Sequence, residues 1–154
     1  MTTPLSTQTR IVRRTPGAPS RKLETEIRVV GAGIAGVSAA LEAARLGRKV
    51  VPVDGQPVLG GQAVNSIIAT FCGMFSNGTH GYQFTYGVAD DLLAFLESRE
   101  QAIHYRHGPN TTVVYYDEVA LGRWVEQRVV EAGITVVLGA VPHEATPGQA
   151  VRAF

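Results

Sequence analysis

Residues 27–36, Ile27-Arg28-Val29-Val30-Gly31-Ala32-Gly33-Ile34-Ala35-Gly36, run from an apolar stretch into three glycines spaced G-x-G-x-x-G. The first glycine permits a tight turn, the second lets a ligand approach the backbone without meeting a Cβ, and the third lets helix and strand pack closely. Ile27 and Val29 alternate toward Gly31, as a strand requires. Beyond Gly36, Val37, Leu41 and Ala44 recur at helical spacing among the small Ala39, Ala40 and Ala43. Gly47 closes that helix, with Arg45, Arg48 and Lys49 at its negative end, and 49–54 reads as a second parallel strand ending in an acid, Asp54. Unpaired amides and the positive end of the dipole meet at the start of the helix, so the group expected there is an anion. Asp54 lies 23 residues after Gly31, a spacing that suits a carboxylate accepting hydrogen bonds from a ribose hydroxyl. Strand, turn, helix, strand and acid together make a dinucleotide-binding pattern.

The next residues separate the dinucleotides. Asp54-Gly55-Gln56-Pro57-Val58-Leu59-Gly60-Gly61-Gln62-Ala63 resembles the segment after the second strand in FAD-dependent oxidoreductases with a glutathione-reductase-type FAD domain. There a Leu-Gly-Gly turn passes beside the cofactor's ribose and pyrophosphate, and glycines at 60 and 61 can take positive φ and turn N–H groups toward phosphate. Residues 65–75 are similar to the family's segment running past the flavin. The stretches at 116–118 and 131–141 are similar to its return to the adenine side. The resemblance spans roughly residues 25 to 142. It implies FAD contacts at Gly31, Gly33, Ile34, Ala35, Gly36, Asp54, Gly55, Gln56, Gly60, Gly61, Gln62 and Ala63, and at Val141 for the adenine edge. It identifies no catalytic residue.

The expected fold is α/β, a Rossmann-like parallel sheet with flanking helices and strands at 27–30, 49–54 and 134–138. Three strands leave an edge open. Full-length members of the family continue into a substrate domain and return to the FAD domain, whereas this sequence stops at Phe154. The resemblance therefore implies an incomplete FAD-binding domain, completed by a second polypeptide that also carries the substrate site.

Residues 1–24 are rich in Ser, Thr, Pro and Arg, show no apolar period and read as a flexible basic tail, with 25–154 as the N-terminal part of the FAD-binding domain. The tail carries five basic residues against Glu24, and the remainder has nine basic and twelve acidic groups. A net charge of +1 does not suggest a nucleic-acid partner. There is no secretory signal and no apolar run long enough for a bilayer, so a cytoplasmic protein without membrane association is expected.

An amphipathic helix is expected from Asp90 through Gln101, and a second from Glu118 to Ala132 with Asp117 as N-cap. Leu121, Trp124, Val125 and Val129 form the buried stripe of the second. Between them, 111–116 reads as a strand of a small antiparallel layer. Cys72 is the only cysteine, which excludes dithiol chemistry and a cysteine metal cluster. It reads as a small buried hydrophobe, with a thiol beside the flavin as the alternative. His80, His104, His107 and His143 lack metal-ligand spacing. His80 lies in an irregular glycine-rich loop and is a candidate proton shuttle, although an exposed loop histidine is the simpler reading. Two residues fit the sheet poorly. Pro52 must break a ladder bond in the second strand, and Arg28 occupies a position such a sheet fills with an apolar side chain.

The function expected is that of an FAD-binding subunit of a heteromeric oxidoreductase, in which a small organic substrate gives hydride to flavin. A non-catalytic FAD-binding or scaffolding subunit and an NAD-binding protein are the alternatives.

Overall fold

A computed structural model describes residues 23–78 and 80–140, and the backbone of two short strands at 142–144 and 152–153. The parallel unit is β1 (Ile27–Val30), α1 (Ile34–Arg45) and β2 (Val50–Val53). β1 and β2 pair in register from Ile27 opposite Val50 to Val30 opposite Val53. Alternation then divides the side chains between two faces. Val29 faces α1, because a Cβ on Gly36 would stand 3.3 Å from Val29 Cγ1. Arg28, Val30, Val51 and Val53 consequently share the opposite face.

That second face carries its own cluster, in which Leu23 and Val137 pack against Val51, Val53 and Ala140. The larger core lies on the α1 side and gathers Val37, Leu41, Leu96, Leu121, Trp124 and Val125 from three helices. The basic segment 1–22 lies outside the described residues, but Leu23 already packs against the second face.

Residues 134–138 do not form the expected full strand; they touch the sheet through one parallel bridge, Val53 to Val137. Pro52 explains the shortfall. The Val137 N–H donates to Pro52 O at 2.9 Å and the Asp54 N–H to Val137 O at 2.9 Å, so the 52 position faces this neighbour. The next bond toward residue 134 would need an N–H on residue 52, and proline has none. Pro52 is otherwise accommodated in regular pairing and fully buried, without a bulge. Arg28 is half-buried opposite Val51 on the second face.

After β2 the chain makes one helical turn, α2 (Gln62–Asn65), and then an antiparallel sheet of β3 (Thr70–Phe71), β4 (Ile103–His107) and β5 (Thr112–Tyr116), with β5 central. The layer expected at 111–116 is therefore present. Helix α3 (Val88–Glu97) separates β3 from β4. It begins two residues before Asp90, because the Asp90 carboxylate turns back to accept the Gly87 N–H at 2.8 Å and Gly87 takes φ +71. It ends at Glu97 rather than Gln101, whose φ of +62 is incompatible with a continuing helix.

Helix α4 (Glu118–Glu131) starts at its expected cap, Asp117, whose carboxylate accepts the Ala120 N–H at 2.6 Å. Leu121, Trp124, Val125 and Val129 are all buried, as their spacing requires. Strands β6 (Pro142–Glu144) and β7 (Arg152–Ala153) pair antiparallel. Among the described residues no helix is long and apolar enough to cross a membrane.

Candidate nucleotide-binding site

The glycine turn closes because Gly31 adopts φ +99 while its N–H donates to Val53 O at 2.8 Å. Gly33 is the N-cap of α1 and offers no side chain to cap it. The first amides of the helix, those of Ile34, Ala35 and Gly36, thus lie at an end that only an external acceptor or water can satisfy, where the dipole is positive. Gly36 permits the packing, since a Cβ there would stand 1.9 Å from Gly31 O.

The Leu-Gly-Gly turn lies against this one. Gly60 forms a parallel bridge with Gly33, and the Gly60 N–H donates to Ala32 O at 2.8 Å. Gly61, at φ +55, comes so near that a Cβ on it would stand 2.8 Å from Gly33 Cα. A Cβ on Gly31 would meet nothing within 4 Å. Two glycine turns therefore face each other across backbone, with open space beside Gly31. An extended diphosphate needs such a cradle, and these residues fit one.

Asp54 is placed at the end of β2, half-buried, with its carboxylate turned toward the turn. Oδ2 accepts the Ala32 N–H at 2.5 Å and Oδ1 accepts the Gln56 N–H at 2.8 Å. These bonds, led by that from Gln56 and followed by that from Ala32, hold its pKa below the ordinary carboxylate value against the opposing effect of partial burial. A carboxylate has about four acceptor positions, so roughly two are left open to external donors. Gly55 and Gln56 continue past it, and Gln56 O accepts the Gly139 N–H at 3.0 Å while Asp54 O accepts that of Ala140 at 2.9 Å. The segment leading to 141 therefore lies beside Asp54. Val141 itself is outside the described residues.

The depressed pKa makes a prediction with a definite sign. The stabilisation from Asp54 is complete above the unfolded carboxylate pKa, near about 4, and is lost as pH falls through the lower folded value. Asp54→Asn places an amide NH2 where an acceptor is needed. Urea unfolding against pH should show a shallower acid limb in this variant than in the wild type, and identical limbs would refute the role given to the Ala32 and Gln56 bonds.

Gln62 and Ala63 begin α2, with Ala63 half-buried and its carbonyl accepting the Tyr116 hydroxyl at 2.9 Å. The sequence placed Tyr116 only in a stretch similar to the return to the adenine side, and its bond to Ala63 was not foreseen. Its local signal, a tyrosine closing an alternating strand, shows nothing about a partner 53 residues away. Ala32, completely buried with both backbone groups engaged, was also missed because its side chain carries no chemistry.

Cys72 is exposed, contrary to the buried reading. Phe71 turns inward to stack on Tyr116 at 4.2 Å, so its neighbour in the extended chain turns outward. His80 is exposed, and its carbonyl accepts the Ser76 hydroxyl at 3.3 Å. A separate cavity of about 590 Å³ lies between α3 and the antiparallel sheet, lined by Phe75, Gln83, Asp90, Glu97, Tyr105 and His107 among others. The Tyr105 hydroxyl donates to Glu97 at 2.6 Å, and burial first, then that carboxylate, raises its pKa. None of the glycine-turn residues lines this cavity. Among the described residues no group of three His, Cys, Asp or Glu could hold a metal ion.

A βαβ unit with an uncapped glycine-rich helix start and an acid closing its second strand defines a nucleotide-binding α/β protein. The sequence matches the FAD-dependent oxidoreductase family over residues 26–153, and the chain belongs to that family, whose cofactor is FAD. It is 32% identical over 120 residues to the probable fumarate reductase Ifc3 of Shewanella frigidimarina, an alignment covering 77% of this chain and 19% of that protein. The chain thus spans about a fifth of that relative's length. In fold it is similar to a flavocytochrome c3 fumarate reductase in its open conformation, with a TM-score of 0.52 at 20% identity over 79% of this chain and 28% of the other. It is similarly related to THI4 of Thermovibrio ammonificans, with a TM-score of 0.50 at 20% identity over 84% and 45% of the two chains.

Proposed function

We propose that this chain is the FAD-binding subunit of a heteromeric, cytoplasmic flavin-dependent oxidoreductase acting on a small organic substrate, and that it is inactive without its partner chain. Bound FAD would supply the hydride acceptor for a dehydrogenation. The residues of this chain bind and orient. Gly31 leaves room for the diphosphate, and the amides at the start of α1 and those of Gly61–Ala63 would donate to it. Asp54 holds the ribose through the acceptor positions its two backbone bonds leave free. Proton transfer and substrate recognition belong mainly to the partner.

The observation that carries the partner reading is the outer side of β1. β2 is buried throughout and flanked by β1 and Val137, whereas among the described residues no strand pairs with the other edge of β1. Val30 is 67% exposed on the face it shares with Arg28. An apolar strand with an unpaired edge favours the addition of another strand.

The test is expression of the chain alone and together with its neighbouring gene products, followed by the flavin absorption band and its bleaching by candidate substrates. Flavin retained and bleached only in the co-expressed form supports the reading; full turnover by the isolated chain overturns it. Val30→Asp sharpens the test. As a surface change it should alter the stability of the isolated chain by only about 0.5 kcal/mol, yet lower the yield of co-purified complex several-fold. An undiminished complex would remove β1 from the interface.

A further inference from the structure

Helix α2 is a single turn with no buried residue and no side-chain cap at its start. So short a helix is not stable by itself, so contacts from elsewhere must set its place and that of the Gly60-Gly61 turn before it. On one side a Cβ at Gly122 of α4 would stand 3.2 Å from Val64 Cγ1, and one at Gly60 would stand 2.2 Å from Val64 Cγ2. Val64 is thus wedged between the turn and α4. On the other side stands Tyr116, 6% exposed, its ring stacked on Phe71 and its hydroxyl donating to Ala63 O at 2.9 Å.

We propose that Tyr116 is a positioning residue for the cofactor: by holding the Ala63 carbonyl it sets the separation of the Gly60-Gly61 turn from Gly33, and with it the width of the diphosphate cradle. The inference rests on the reading that this turn borders the diphosphate. A phenylalanine would fill the same space and keep the stacking on Phe71, so packing alone gives no use to the hydroxyl. Burial, and then the charge of Glu118, raise its pKa and keep it a protonated donor. The carbonyl it engages lies two residues after Gly61, whose main chain is already in contact range of Gly33. A displacement of Ala63 therefore passes to the cradle with little chain to absorb it.

Tyr116→Phe tests this with two readouts. The first is amide hydrogen exchange of the cofactor-free protein across 61–65, where the Val64 and Asn65 N–H groups donate to Gly61 O at 3.2 and 3.0 Å. These amides should exchange about five- to tenfold faster, the equivalent of one lost net hydrogen bond, while those within α1 stay unchanged. The second is FAD titration of the deflavinated protein, together with whatever partner co-purifies, where affinity should fall by roughly fivefold. Val129→Ala, a core truncation elsewhere on α4, serves as control: it should lower the melting temperature and leave both readouts unmoved. Unchanged exchange in Tyr116→Phe overturns the proposal. Faster exchange with undiminished affinity also overturns it, and in that case the underlying placement of the turn beside the diphosphate has failed rather than the hold on Ala63.

Discussion

Gly36→Ala is expected to abolish FAD binding and to lower stability by about 2–4 kcal/mol, in the range of severe overpacking. The added Cβ would sit 1.9 Å from Gly31 O, 2.9 Å from Gly31 C and 3.3 Å from Val29 Cγ1. The first two are backbone atoms of the turn itself, so no side-chain rotation relieves the contact. Either α1 moves off β1 or Gly31 leaves φ +99, and both displace the amides at the start of α1 that the proposed function assigns to the diphosphate. Thermal unfolding and FAD titration check this. The melting temperature should fall by roughly 5–15 °C for a chain this size, and affinity by more than about a hundredfold, or 2.8 kcal/mol. Gly47→Ala provides the comparison. Gly47 also has positive φ, at +73, but open space around it, so its substitution carries the conformational strain of about 1–2 kcal/mol alone and leaves affinity intact. Equal effects on affinity at the two positions would show that the loss came from general destabilisation and not from the turn.

Gly61→Ala should weaken FAD binding by about 10–100-fold, or 1.4–2.8 kcal/mol, with a smaller loss of stability than Gly36→Ala. Gly61 combines φ +55 with ψ −134, a region open essentially to glycine, and its Cβ would stand 2.8 Å from Gly33 Cα. Gly61 lies in the connection between β2 and α2, outside β1 and α1, so the clash with Gly33 pushes the two turns apart rather than disrupting β1 and α1. Binding is therefore affected more than folding. Titration alongside thermal melts separates the two, and a variant that melts lower while binding FAD as the wild type does would place the cofactor away from this junction.

The parts of the molecule legible in the sequence were those governed by nearest neighbours. The α1 start, the Asp117 cap, the buried stripe on α4 and the strand at 112–116 all follow from periods and cap chemistry acting within a few residues. Pro52 was recognisable as a disturbance, but its effect required knowledge of which neighbour its missing N–H faced. That neighbour was Val137, so the proline shortened the third strand instead of bulging the second. Cys72 was misjudged for a similar reason. An isolated cysteine has no period to assign it a face, and the stacking of Phe71 on Tyr116 decided the matter.

Backbone freedom and side-chain spacing, both local properties, were enough to mark Gly31, Gly33 and Gly36 as a tight turn opening a helix and Asp54 as the acid closing the next strand, because φ, periodicity and cap chemistry depend on residues a few positions apart. The folded chain alone established that the second glycine turn rests on the first, that the carboxylate of Asp54 reaches Ala32 and that Tyr116 holds Ala63. Those contacts join residues 22 to 53 positions apart. Their existence depends on how helices and strands pack, which no short stretch of sequence encodes by itself.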